Sequence, residues 1–90
     1  MDPMNLISVL ITDAHALPRQ RLSRFLMRQK DIQVVGEATD GCQVLNRVET
    51  LQPHILLLDP QMPKLSGLEG ITRLRAKSPR MKILFLADGF

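Results

Sequence analysis

Hydrophobic and polar positions along this chain switch between two periods, and the switching predicts the elements. Leu6 to Thr12 (L-I-S-V-L-I-T) is an aliphatic and β-branched run, too short for a helix and suited to a buried strand. Leu17 to Gln29 then carries Leu22, Phe25 and Leu26, with Leu17 and Met27 at the flanks. That spacing suits a helix lying on a sheet, with Pro18 tolerable only in its first turn. Ile32 to Ala38 (I-Q-V-V-G-E-A) reads as a second strand, weaker than the first and nearer an edge. Asp40-Gly41 marks a turn and a helix start with Asp40 as N-cap, and Val44, Leu45, Val48 and Leu51 supply the apolar stripe of that helix before Pro53 stops it. Four consecutive apolar residues, Ile55 to Leu58, read as a short strand covered on both faces. Ser66 and Glu69 form a capping box for a third helix, with Leu68, Ile71 and Leu74 on its buried face and basic residues before Pro79 at its end. Lys82 to Ala87 (K-I-L-F-L-A) is a fourth strand.

Strands alternating with helices in the order βαβαβαβ imply a parallel sheet with right-handed crossovers and helices on both faces, a doubly wound α/β domain. Ninety residues make one such domain, assigned to 6–90, and residues 1–5 are given no role. An apolar content of 44% with 23% charged residues supports a folded chain over a disordered one. Cys42 is the single cysteine and cannot form an internal disulfide, which fits a reducing cytoplasm. Nothing at the start resembles a signal peptide, and no stretch approaches the length of a membrane span. A net charge of +3 is too small to point to nucleic acid. Arg19, Arg21, Arg24, Arg28 and Lys30 do cluster, and Arg21, Arg24 and Arg28 fall on one exposed helical stripe. The ordinary reading of such a run is a solvated face; the sharper one is a docking surface for an acidic partner.

The candidate chemistry sits where strands leave the sheet. Asp59 follows the third strand at once, and Asp13 follows the first. The carboxyl edge of an open α/β sheet is where ligands gather. If the first and third strands are neighbours, the two carboxylates converge there, and their repulsion is relieved by a proton or a cation. Hard oxygen donors favour Mg²⁺. A carboxylate beside the metal can attack a phosphoryl group and form an acyl phosphate. Two plainer roles stand beside these: Asp13 capping the helix that follows it, and Asp59 forming an Asx-turn into the Pro60 loop.

V-L-I-T-D-A-H, D-P-Q-M-P-K-L-S-G-L-E-G and K-I-L-F-L-A, in that order and spacing, resemble the CheY-like receiver domain of bacterial two-component response regulators. His15 and V-V-G-E-A-T-D-G (Val34 to Gly41) resemble the subfamily whose receivers precede a LuxR/NarL-type helix-turn-helix domain. The resemblance covers Ile7 to Leu86 and implies a sheet in the order 2-1-3-4, ending before the family's fifth strand. It also implies Asp59 as phosphoacceptor, Asp13 and Asp59 as Mg²⁺ ligands with the backbone carbonyl of Gln61, and Pro63 and Gly67 as shapers of the loop. The implied partner is a sensor histidine kinase or phosphotransfer protein, with the basic stripe as docking face and DNA contacted only through a separate output domain. A cytoplasmic signalling module, at most phosphorylating itself, is what this implies, not an enzyme in the usual sense.

The departures from the pattern are specific. Ala14 stands where the family has a second acid, Ala87 where it has Ser or Thr, and Pro60 removes an amide N–H directly after Asp59. The lysine that follows the family's fifth strand is not among these residues. These departures favour a second expectation, a phosphorylation-independent pseudo-receiver that binds partners or dimerises. A small phosphatase is disfavoured, because no second acid is placed as a general acid. An unpaired apolar edge on the fourth strand further predicts a homodimer or an element-swapped oligomer.

Overall fold

The computed structural model describes residues 6–62, 65 and 67–86. Its elements are β1 (Ile7–Thr12), α1 (Ala16–Met27), β2 (Ile32–Ala38), α2 (Gly41–Leu51), β3 (Ile55–Leu58), α3 (Gly67–Lys77) and β4 (Lys82–Phe85). All strand pairs are parallel, in the order β2-β1-β3-β4. The order places β1 and β3 side by side at the centre, so the residues that follow them leave the sheet together.

Side chains alternating along β1 and β3 divide the interior into two layers. Leu10, Leu56 and Leu58 face α2 and α3 and pack with Val44, Val48 and Leu74; Met62, Leu65 and Met81 close that layer. Val9 and Ile11 face the other way and pack with Leu22, Leu26, Ile55 and Leu57 beneath α1. Burying each such leucine or isoleucine stabilises the fold by roughly 1.5–3 kcal/mol. These central strands therefore make a well-packed platform for the residues that leave them.

Local chemistry sets the helix ends. The Asp40 carboxylate accepts a 2.9 Å hydrogen bond from the Gln43 amide, the N-cap expected from Asp40-Gly41. Helix α2 ends on Gln52 in the left-handed region (φ 45°, ψ 59°). The Gln52 side-chain amide compensates by donating to the carbonyls of Val48, Glu49 and Lys77 and accepting from the Ser78 hydroxyl, which joins the ends of α2 and α3. Gly70 permits another close approach: a Cβ there would lie 2.8 Å from the Leu65 carbonyl carbon. Ser66, Pro63 and Ala87 lie outside the described residues, as does the capping box that includes Ser66.

Three expectations need correction. Phe25 is 56% exposed, because the inward arc of α1 is Arg19, Leu22, Ser23 and Leu26, and Phe25 falls off its side. Leu68 is 81% exposed for the same reason: Gly70, Ile71 and Leu74 form the inward arc of α3. Arg19 is not part of the solvated basic face, since it is turned toward the strand exits, while Arg21, Arg24 and Arg28 are exposed as expected.

Candidate functional site at the strand exits

Thr12, the last residue of β1, is fully buried and is the joint of the site. The β1–β3 register ends at Ile11 opposite Leu57, where backbone pairing between the two strands stops. The Thr12 hydroxyl continues it, donating to the Leu57 carbonyl at 2.8 Å and accepting from the Asp59 amide at 3.3 Å. The departure of Asp59 from the sheet is thus tied to the residue that precedes Asp13.

Each aspartate folds its own loop. Asp13 Oδ1 accepts from the His15 amide at 2.8 Å, and Asp59 Oδ1 accepts from the Gln61 amide at 2.9 Å, two Asx-turns side by side. The N-cap of α1 is His15, so Asp13 shapes the approach to the helix and does not occupy its cap. The turn role expected as an alternative for Asp59 is present, and it leaves the other carboxylate oxygen out of the turn. Pro60 occupies the second position of the turn closed by the Met62 amide on the Asp59 carbonyl at 3.0 Å, where its fixed φ is favourable and no N–H is required.

The two carboxylates meet. One oxygen from Asp13, one from Asp59 and one ring nitrogen of His15 all lie within 4.8 Å of one another. Asp13 is largely buried, its side chain 14% exposed, whereas His15 is 76% exposed with Nδ1 3.2 Å from Asp13 Oδ1. Arg19 braces the site from α1: Nη1 donates to the Asp13 carbonyl at 3.0 Å and Nε to Glu37 Oε1 on β2 at 3.0 Å. Two carboxylates at this separation fit a divalent cation in charge and in donor type. Ala14 is exposed and offers no donor beside them. Gln61 is brought to Asp59 through its own amide, and its side chain is exposed.

Sequence reasoning named Asp13, Asp59 and Gln61 but did not single out the roles of Thr12, His15, Arg19 or Gly70. A threonine at the exit end of a strand, next to an acid, was the available signal for Thr12. The signal for His15 was its spacing, two residues from Asp13, which an Asx-turn converts into proximity.

Comparison with known proteins agrees with this geometry. Residues 9–89 match the family model described as the response regulator receiver domain. The chain is 42% identical over 81 residues to the transcriptional regulatory protein BtsR of Escherichia coli K12, covering 90% of this chain and 34% of that protein. It is 35% identical over 82 residues to the response regulator protein VraR of Staphylococcus aureus, covering 91% and 39% respectively. The chain therefore spans little more than a third of the curated relatives it matches. Among solved structures, the signal receiver domain of the response regulator NarL from Mycobacterium tuberculosis superposes with a TM-score of 0.81 at 30% identity, over 90% of this chain and 65% of that one. Paired acids at the exits of two central parallel strands, a match running almost end to end and the likeness to NarL lead to one conclusion: the chain belongs to the response regulator receiver family, of the LuxR/NarL type.

Proposed function

We propose that this chain accepts a phosphoryl group on Asp59 from a sensor histidine kinase or phosphotransfer protein, and so controls a transcriptional output domain elsewhere in a longer protein. The carrying observation is the convergence of Asp59 with Asp13 within 4.8 Å at the carboxyl edge of the sheet. The carboxylate oxygen of Asp59 that stands outside the Asx-turn attacks phosphorus. A P–O bond to Asp59 forms as the bond to the donor, a phosphohistidine nitrogen or an acetate oxygen, breaks. Asp13 would hold Mg²⁺ with Asp59 and the Gln61 carbonyl, and the bound metal would offset the charge of the transferred group. Thr12 and Arg19 hold the two acids in place and take no part in bond changes.

The exposed stripe of Arg21 and Arg24 on α1, continued by Arg28 at its C-cap, is the docking face in this reading. The likeness to BtsR, a transcriptional regulatory protein, supports the output. DNA is reached only through that output, because the helices of this chain are used to cover the sheet. The reading places the chain in the cytoplasm; no helix among the described residues is long and apolar enough to cross a membrane.

Ala14, exposed and without a donor, supports a second reading, a pseudo-receiver that works without phosphorylation. Incubation with Mg²⁺ and acetyl phosphate, followed by intact mass measurement, separates the two. A base-labile phosphoryl adduct that disappears in Asp59→Asn supports the first; no adduct together with no Mg²⁺ binding supports the second.

A further inference from the structure

The loss of a carboxylate at Ala14 and the position of His15 change which cation the strand exits suit. Three donors converge within 4.8 Å, and one of them is an imidazole nitrogen. His15 Nδ1 and Asp13 Oδ1 are 3.2 Å apart. Metal–ligand bonds of about 2.0–2.2 Å set adjacent ligand atoms roughly 2.9–3.5 Å apart in octahedral or tetrahedral shells. The hydrogen-bonded pair therefore already has the edge length of a coordination shell, and a cation can take the place of the proton between the two atoms. Asp13 Oδ1 also accepts from the His15 amide, a bond that fixes the imidazole's point of attachment beside the carboxylate.

Mg²⁺ gives up its water reluctantly and prefers oxygen ligands, so exchanging a carboxylate for a methyl group weakens its hold. Imidazole suits the later first-row divalent ions, among them Zn²⁺. From the donor set, we infer that this site takes Zn²⁺ or a similar borderline ion in preference to Mg²⁺, with Asp13, His15 and Asp59 as ligands. This rests on the same paired acids as the proposed phosphoryl site, but not on any transfer taking place there. Three protein ligands leave a coordination position open, as in catalytic zinc sites, so a phosphoryl oxygen or water can complete the shell. The charges also suit, since two carboxylates and a neutral imidazole balance one divalent ion.

His54, the other histidine, provides an internal control. It precedes β3, at the opposite end of that strand from Asp59, and its Nδ1 accepts from the Ser8 amide at 2.9 Å. Isothermal titration of the chain, His15→Ala and His54→Ala with ZnCl₂ and separately with MgCl₂ tests the inference. Circular dichroism verifies that each variant is folded, which the exposure of His15 favours. The expected result is that Zn²⁺ binds more tightly than Mg²⁺ and that His15→Ala weakens Zn²⁺ by about 10–100-fold. Zn²⁺ binding should stay nearly unchanged in His54→Ala, whose ring lies at the other end of β3. Absorption of bound Co²⁺ should also change in His15→Ala, as a nitrogen ligand is replaced by water. Equal Zn²⁺ affinity in the chain and in His15→Ala, or tighter binding of Mg²⁺ than of Zn²⁺, would overturn the inference. The acetyl phosphate experiment stays independent: an Asp59 adduct with no His15-dependent Zn²⁺ binding removes this inference and leaves the receiver reading standing, and the reverse result does the opposite.

Discussion

Replacing Thr12 by valine keeps the shape of the side chain and takes away only its hydroxyl, so it isolates the joint between β1 and Asp59. The hydroxyl is buried and has two partners, the Leu57 carbonyl at 2.8 Å and the Asp59 amide at 3.3 Å. Valine leaves both backbone groups without that partner. An unsatisfied buried polar group costs about 1–3 kcal/mol, and the longer bond to Asp59 belongs at the low end. Removing a buried hydroxyl returns roughly 1 kcal/mol by protein-based scales. The net expectation is a loss of about 2 kcal/mol, or roughly 8–16 °C in Tm for a domain of this size. Urea denaturation followed by circular dichroism measures the stability, and amide exchange at Asp59 reports the local effect. Thr12→Ser retains the hydroxyl and should keep the Asp59 amide protected, losing only the contribution of a methyl group, about 1 kcal/mol. A Thr12→Val variant as stable as the parent, with Asp59 exchange unchanged, would refute the assignment of Thr12 as the joint.

Two further substitutions and one chemical test follow from geometry already described. Gly70→Ala sets the roughly 1 kcal/mol gained from helix propensity against a Cβ placed 2.8 Å from the Leu65 carbonyl carbon. Backbone cannot rotate away as a side chain can, so the clash should win by about 1–2 kcal/mol, and a rise in the urea midpoint would show that it does not. Gln52→Gly removes left-handed strain of roughly 1–2 kcal/mol but also the amide that joins Val48, Glu49, Lys77 and Ser78. With each lost bond worth about 0.5–1.5 kcal/mol, the variant should be less stable by about 1 kcal/mol, and a stabilised variant would mean that strain dominates at this position. Asp59→Asn should abolish the acetyl phosphate adduct while leaving the fold intact, because the asparagine amide oxygen can still accept from Gln61; an adduct that persists would place the reactive group elsewhere.

The element order was legible because period-2 and period-3.6 segments alternate cleanly, and four apolar residues ending in Asp59 mark a strand exit without ambiguity. Placement of the second strand near an edge was legible too, from its weaker run with Gly36 inside it, and β2 does lie at the end of the sheet. Helix faces were less legible. Apolar spacing put Phe25 and Leu68 inward, whereas polar Arg19 and Ser23 and the small Gly70 occupy part of the inward arcs. Apolar pattern counts carbon and cannot register a guanidinium held inward by a carbonyl and a carboxylate. At the site, the residue types of Asp13 and Asp59 were enough to suggest convergence, because strand exits are defined by where apolar runs stop. Thr12 and His15 were missed as participants since their roles depend on where backbone pairing ends and how a turn closes.

The paired turns have a consequence for any event at Asp59. One of its carboxylate oxygens anchors the Gln61 amide, so the group carrying negative charge is also the clasp of its own loop. Forming an acyl phosphate on that carboxylate would withdraw electron density from the clasp and slacken it. Were Asp59 to be modified, the mark and the first loosening of the loop would share a single functional group, with no distance to travel before backbone is released.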